Sequence, residues 1–210
     1  MINLPKIKGI KTVFSREFVG NIKTVTISKT ATGKYYASVL VENTDILPTP
    51  TTIEPNLTVG IDLGIRHLIN LSDGSKFDNP KHLANASKRL AVQQKIFARK
   101  QKQSKNYQKQ KLAVARIHEK VRHQRLDLHH QITHSLICES QATSYALEDL
   151  AVKNMVKNRK LAKAINDVGW GQFVTLLTYL LTRRIGMVKT FSKSIGSLPV
   201  VKFVRIVITN

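Results

Sequence analysis

Two acidic residues that lie far apart in the sequence sit in short apolar runs that predict β-strands. Asp62 is part of Val-Gly-Ile-Asp-Leu-Gly, and Glu148 is part of Tyr-Ala-Leu-Glu-Asp-Leu. An unpaired carboxylate buried in a strand is costly, and a bound metal ion offsets that cost. We therefore expect both acids to be buried and to converge on metal ions. Two Mg²⁺ ions that are bound by carboxylates and water molecules can catalyse the hydrolysis of phosphodiesters. Mn²⁺ is an alternative metal.

Each acid also has a simpler explanation. Asp62 could form an ion pair with Arg66 or cap a turn, and Glu148 could be an N-cap or a solvent-facing strand end. Asp149 would point to the opposite face of its strand and is the weaker candidate. The motif around Asp62 also suits actin-like kinases and ATPases, but the small hydroxyl residues expected after Gly64 are missing, and 210 residues are too few for two such lobes.

A long basic segment separates the two acids. Residues 81–125 contain 14 Lys and Arg residues and a single acid, Glu119. Apolar residues recur at helical spacing over residues 80–139, which predicts two long helices with a joint near residues 103–108. An exposed helix face normally mixes both signs of charge, so this segment predicts a surface for phosphates. The residues expected to bind nucleic acid are Lys88, Arg89, Lys95, Arg99, Lys100, Lys102, Lys105, Lys109, Lys111 and Arg116.

The composition of the whole chain indicates the same kind of partner. Its 210 residues include 34 Lys+Arg and 13 Asp+Glu, a formal net charge of +21, which favours polyanions. An anionic membrane surface is the alternative, but no apolar stretch could span a bilayer and no signal peptide is recognisable. We therefore expect a cytoplasmic protein with no membrane partner and no small-molecule substrate. Cys138 is the single cysteine, and we expect it in the core on a helix.

Predicted strands flank a proline-rich linker. Residues 1–45 alternate as an antiparallel hairpin or small barrel would, and residues 46–56 form the linker. A β-hairpin over residues 57–71 then precedes the basic helices, and a strand at residues 145–150 follows them. A basic loop from Lys153 to Lys163 leads into a last helix over residues 166–181. The predicted fold class is α/β, with long basic helices that follow a small antiparallel β segment.

Three further residues have weaker signals. His130 and His134 lie four residues apart on one predicted helix face, a spacing that can bind zinc. No Glu completes an HExxH motif, so exposed or phosphate-contacting histidines are expected, including the neighbouring His129. Trp170, in Gly-Trp-Gly, is expected to pack in the core, with base stacking as the alternative.

In order and spacing, these motifs resemble the OrfB/TnpB transposase-like proteins of bacterial insertion sequences, which are relatives of the type V CRISPR nucleases. The resemblance covers about residues 20–182 and includes both acidic strands, the lysine-rich helices and Gly-Trp-Gly-Gln-Phe. It implies an RNase H-like (RuvC) nuclease domain with a mixed sheet over residues 57–182, with Asp62 and Glu148 as catalytic acids that bind Mg²⁺.

The same resemblance implies the partners of the chain. Residues 1–45 would belong to a wedge-like β domain that grips a guide RNA from the element and the target DNA. In that family the guide reads the sequence, while the protein contacts the backbone and cuts the DNA. The implied location is the bacterial cytoplasm, in association with the nucleoid.

The chain departs from this family towards its C-terminal end. Members usually continue with a Cys-x-x-Cys zinc module and a third catalytic Asp, whereas no Asp, Glu or Cys follows Asp167 here. An out-of-frame reading of residues 185–210 permits a translation with Cys-x-x-Cys, so we expect residues 183–210 to be an aberrant, frameshifted tail. The family's zinc site would then be absent. We expect a truncated remnant with little or no cleavage activity; the alternatives are a catalytically inactive RNA- or DNA-binding module and a chain that no longer folds.

Overall fold

The computed structural model describes residues 2–4, 7–15, 17, 19–42, 54–148, 150–185 and 201–208. The chain divides into two units, one formed by Met1–Ile46 with Lys193–Asn210 and the other by Leu47–Ser192. Within the described ranges, no helix combines the length and the apolar composition that a bilayer span requires.

The described residues form ten strands and five α-helices. The strands are β1 (Ile2–Leu4), β2 (Ile7–Ile10), β3 (Thr12–Phe14), β4 (Asn21–Lys29), β5 (Tyr35–Glu42), β6 (Thr58–Leu63), β7 (His67–Leu71), β8 (Lys76–Asp78), β9 (Ser144–Leu147) and β10 (Val201–Ile208). The helices are α1 (His82–Ala98), α2 (Lys105–His134), α3 (Val152–Met155), α4 (Ala162–Val168) and α5 (Trp170–Ile185).

The first unit is made of antiparallel strands, as its alternating sequence predicts. β1 pairs with β2, and a four-stranded sheet has the order β3-β10-β5-β4. The predicted hairpin is present as β4 and β5, and Gly33 in its turn has φ 88°, which favours glycine. Residues 201–208, within the predicted aberrant tail, form β10 between β3 and β5. Most of the predicted linker, residues 46–53, lies outside the described residues.

The second unit is built on a mixed sheet of order β8-β7-β6-β9. β6, β7 and β8 pair antiparallel, whereas β9 pairs parallel with β6. The long connection through α1 and α2 permits the parallel pairing, because parallel neighbours need a crossover rather than a tight turn. This arrangement agrees with the predicted α/β class and its mixed sheet.

Helices cover one face of this sheet and form the main core. Ile61 and Leu63 alternate along β6 towards this core, with Leu68 and Ile69 from β7. Helix α5 contributes its apolar side, in which Phe173 is fully buried. The other helical core residues are Ile132, Leu136, Ile165, Val168, Trp170, Leu177 and Leu181.

The two predicted basic helices are present as α1 and α2, and their joint comes slightly earlier than predicted, at residues 99–104. Ser104 caps α2, since its Oγ accepts a hydrogen bond from the Tyr107 amide at 3.1 Å. α2 continues into a π-helical turn, Ser135–Glu139.

The predicted last helix over residues 166–181 is instead two helices, α4 and α5. Gly169 separates them with φ 71°, a left-handed conformation that ends a helix. The predicted basic loop that precedes them contains the short helix α3.

Candidate metal and nucleic-acid site

Asp62 and Glu148 come together through the parallel pairing of β6 with β9. Ile61 pairs with Leu147 in this register, so the residues that follow this pair on the two strands are Asp62 and Glu148. Neighbouring strands lie about 4.8 Å apart, and residues in register point to the same face of a sheet. Asp62 and Glu148 are therefore neighbours where β9 ends, and both line the same depression.

The expectation that both acids are buried is wrong, because both are exposed. In β6, Ile61 and Leu63 point into the core, and the period of two turns Asp62 to the opposite face. In the same way Leu147 packs against the core and Glu148 faces solvent. The pair therefore occupies the open face of the sheet, where a phosphate can reach it.

Asn70 holds the carboxylate of Asp62. The two residues are register partners on β6 and β7, and Asn70 Nδ2 donates a hydrogen bond to Asp62 Oδ2 at 3.1 Å. Nearby, the Gly60 amide donates to Ser72 Oγ at 3.0 Å and joins the same two segments. These residues and Glu148 line an open depression of about 430 Å³ in the sheet face. Asp62 therefore lies in a shaped site, and Arg66 is not its hydrogen-bond partner.

Within the described residues, neither acid forms an ion pair with a cation. In the part of the chain that the structure describes, ion pairs join Lys23 to Glu42 and two histidines to other acids, and none involves Asp62 or Glu148. Two adjacent unpaired carboxylates repel each other, which favours a bound cation.

The donor set of this site suits a hard cation. Carboxylate oxygens are preferred by Mg²⁺, which keeps several waters and needs few protein ligands. Across the described ranges, no cluster of three or more His, Cys, Asp and Glu residues could hold a metal, so a closed zinc site of that kind is not present there. The residues present therefore fit a partly hydrated Mg²⁺ or Mn²⁺ ion and not a structural zinc ion.

All ten residues expected to bind nucleic acid are exposed. They lie on α1, on α2 and in the joint between them. Gln110 Nε2 of α2 bonds the backbone oxygen of Gln93 on α1 at 3.0 Å, and the rings of Phe97 and Tyr107 lie 4.7 Å apart, so both ends of the joint are packed. A groove of about 590 Å³ between the helices is lined by Arg89, Arg116 and Lys120, among others.

Sequence reasoning missed Asp167, which is buried at 7% exposure. Its carboxylate accepts hydrogen bonds from the Leu83 amide, at 2.9 and 3.1 Å, and from the Ala84 amide at 3.2 Å. It thereby caps α1, whose N-cap residue Lys81 supplies no side-chain bond. The sequence feature that could have singled out Asp167 is its position as an isolated acid in a basic stretch.

Of the three clustered histidines on α2, two are exposed and one is buried. His130 and His134 are exposed, as expected, but the expectation that His129 would be exposed is wrong. His129 is fully buried, its Nε2 lies 3.0 Å from the Val168 carbonyl oxygen, and burial lowers its pKa to about 4. We infer that its neutral ring donates this hydrogen bond. It joins α2 to the end of α4.

Trp170 is buried, as the sequence predicts, whereas Cys138 is exposed. Trp170 packs in the core as expected, and its Nε1 donates to the Gly64 carbonyl at 3.2 Å. The expectation of a buried Cys138 is wrong, because the π-helical turn directs Leu136 inward and leaves Cys138 exposed. Asp149 lies outside the described residues.

Comparisons with known proteins identify the family. Residues 38–159, more than half of the chain, match the IS605 OrfB family model described as "Probable transposase". A Streptomyces pristinaespiralis protein named "Putative RNA-guided DNA endonuclease" is 41% identical over 156 residues, covering 74% of this chain and 37% of that protein. The Escherichia coli (strain K12) protein named "Putative RNA-guided DNA endonuclease InsQ" is 32% identical over 203 residues, covering 89% of this chain and 49% of that protein. The chain thus spans less than half the length of these relatives, and it belongs to the OrfB/TnpB family of transposase-like proteins from insertion sequences.

Proposed function

We propose that this chain is part of a transposon-encoded, RNA-guided DNA endonuclease, and that its second unit is an RNase H-like (RuvC) domain in which Asp62 and Glu148 are the catalytic, Mg²⁺-binding acids. The observation that carries the proposal is the adjacency of two exposed, unpaired carboxylates across the β6–β9 pair. The sheet order also supports the RNase H-like assignment, since an antiparallel meander is extended by a parallel strand beside its first strand.

Each residue of the site has a distinct task in this proposal. Asp62 would bind the metal through oxygen, and Asn70 fixes its carboxylate by occupying Oδ2. Glu148, at the end of β9, would supply the second carboxylate. Bound Mg²⁺ activates water and stabilises the leaving oxygen of a phosphodiester, and Mn²⁺ can replace it. The open sheet face lets a DNA strand approach both acids.

The basic α1–α2 pair would hold nucleic acid by its phosphates. Its ten exposed cations offer backbone contacts that do not read sequence, which suits a protein whose specificity comes from a guide RNA. We propose that DNA and the guide RNA of the element are the partners. Their binding would depend strongly on salt, because each neutralised phosphate releases counterions.

A second candidate function, binding without cleavage, rests on one observation. No third carboxylate joins Asp62 and Glu148 within the described residues. Two carboxylates alone would hold the metal ions weakly. Because catalytic residues act as a unit, the loss of one ligand is expected to lower the cleavage rate severely. We propose that nucleic-acid binding persists in this chain where cleavage is weak.

The test of the site is Mn²⁺ binding, followed by electron paramagnetic resonance of the free ion. The chain should bind Mn²⁺, and Asp62→Asn and Glu148→Gln should each abolish the tightest binding. Asp127→Asn, which removes an exposed acid from α2, is the matched control and should bind as the unmodified chain does. Equal binding by all four proteins, or no binding by any, would refute the metal site.

Cleavage separates the two candidate functions. The chain with its guide RNA is incubated with supercoiled target DNA and Mg²⁺, and nicked product is measured. Nicking that Asp62→Asn abolishes supports the endonuclease, whereas salt-sensitive DNA binding without nicking supports the binding module.

A further inference from the structure

We propose that the α3–α4 basic segment, residues 153–163, is a second phosphate-binding surface that holds the DNA strand next to the Asp62–Glu148 pair. This inference rests on the proposed function only in naming the bound strand as DNA that is to be cut. The segment is separate in sequence from α1 and α2, and it begins five residues after Glu148. Its cations are Lys153, Lys157, Arg159, Lys160 and Lys163.

Within the described residues, no acidic side chain forms an ion pair with the cations of this segment. Five cations occur in eleven residues, and no Asp or Glu lies between residues 150 and 166. All five side chains are exposed, and in the described parts of the chain none of them forms an ion pair. Asp167, the next acid along the chain, is buried, and its carboxylate already accepts hydrogen bonds from backbone amides of α1. A solvated surface usually mixes charges, so this one is suited to an external polyanion.

The backbone that carries these cations is fixed. Val152, Met155 and Val156 pack against the main core. Asn158 organises the turn that follows, because its Oδ1 accepts from the Lys160 amide at 3.1 Å and its carbonyl accepts from the Ala162 amide at 2.8 Å. Binding a phosphate chain therefore orders only side chains and not the loop, which reduces the entropic cost of binding.

The segment lies within reach of a strand that occupies the acid pair. Lys153 is five residues beyond Glu148, so their Cα atoms are separated by at most roughly 18 Å. This distance corresponds to about five nucleotides of one DNA strand at a rise of 3.4 Å each. A strand that passes over the two acids can therefore place a neighbouring phosphate on Lys153, where the segment begins. This proximity to the acids favours DNA, the molecule to be cut, over the guide RNA.

The experiment uses the full chain without divalent metal, so that its result is independent of the metal site. The segment variant carries Lys153→Gln, Lys157→Gln, Arg159→Gln and Lys160→Gln. The joint variant removes the same number of charges from the α1–α2 joint, through Arg99→Gln, Lys100→Gln, Lys102→Gln and Lys105→Gln. Affinity for single-stranded DNA and for RNA of the same sequence is measured over a series of KCl concentrations. Single-stranded DNA containing 4-thiothymidine is crosslinked to each protein, and the crosslinked peptides are identified by mass spectrometry.

The segment variant should bind DNA at least about tenfold more weakly, and its salt slope should fall by about 3, because four single-strand contacts are lost. Crosslinks to residues 153–163 should be present in the unmodified chain, retained in the joint variant, and retained in Asp62→Asn even if the metal site fails. Unchanged DNA affinity of the folded segment variant would overturn the proposal. A loss of affinity confined to RNA would also overturn it. The absence of crosslinks to residues 153–163 in the unmodified chain would overturn it as well, and this result does not depend on whether the segment variant folds.

Discussion

Asp62 and Glu148 lie one register step beyond the Ile61–Leu147 pair of two parallel strands, on the open face of the sheet. Their adjacency is a product of topology, since 85 residues separate them in sequence and only the return of the chain as β9 brings them together. Because the fold, and not local sequence, creates the site, the residues that fix these two strands should control its affinity for metal.

Asn70→Leu should lower the affinity for Mn²⁺ without unfolding the protein. The substitution removes the hydrogen bond from Nδ2 to Asp62 Oδ2 while it keeps a side chain of similar size. Loss of a hydrogen bond that orients a metal ligand typically costs about tenfold or more in affinity. Mn²⁺ titration by paramagnetic resonance measures the effect, and Asn166→Leu, at an exposed position on α4, is the control. Equal affinities of both variants would show that Asn70 does not position Asp62.

Asp167→Asn should destabilise the second unit by about 1–2 kcal/mol, because an amide replaces a carboxylate that caps α1. The Leu83 and Ala84 amides would lose charge-assisted hydrogen bonds in a buried place. Urea denaturation gives the free energy of unfolding, and hydrogen exchange should show faster exchange at these two amides. Asp127→Asn, on an exposed surface, should change little, and equal stability of the two variants would contradict this assignment.

The second unit should lose stability as the pH falls from about 6.5 towards 4. His129 has a pKa lowered from its ordinary 6.5 to about 4 by burial, so the folded state keeps it neutral while the unfolded chain takes up a proton. Its contribution is therefore complete above pH 6.5 and is lost as the pH approaches 4. Burial also lowers the pKa of His82, which acts in the same direction.

His129→Gln should flatten this dependence. Thermal denaturation from pH 4 to 7.5 measures it, and His130→Gln, at the exposed neighbouring position, should retain the slope of the unmodified protein. Identical slopes in all three proteins would mean that other groups cause the acid sensitivity.

The features predicted correctly from the sequence are those that depend on local patterns. Alternation and helical spacing identify the β4–β5 and β6–β7 hairpins and the two basic helices, because burial of one face imposes these periods. The exposure of Asp62 was not predictable, since Ile61-Asp62-Leu63 suits both a strand buried on two faces and a strand with one open face. Asp167 and His129 were missed because their partners lie 84 and 39 residues away.

Gly64→Ala should disturb both the hairpin and the proposed metal site. A Cβ at Gly64 would lie 2.6 Å from the His67 carbonyl oxygen, and this backbone atom cannot move without changing the turn between β6 and β7. The Gly64 carbonyl also accepts the Trp170 hydrogen bond, and Asn70 Nδ2 lies 3.6 Å from the same Cβ position. We expect a loss of about 1–3 kcal/mol in the free energy of unfolding, with weaker Mn²⁺ binding.

Gly171→Ala provides the matched comparison for this substitution. Apart from its chain neighbours and the backbone of its own helix, no atom of the described residues lies within 4 Å of a Cβ at Gly171, which is in the first turn of α5. Alanine there should be neutral or stabilise by up to about 1 kcal/mol, because glycine loses more backbone freedom on folding. Urea denaturation and Mn²⁺ titration of the two variants test the contrast. If Gly64→Ala retains the stability and Mn²⁺ affinity of Gly171→Ala, the turn tolerates a side chain and does not hold Asp62 and Asn70 in register.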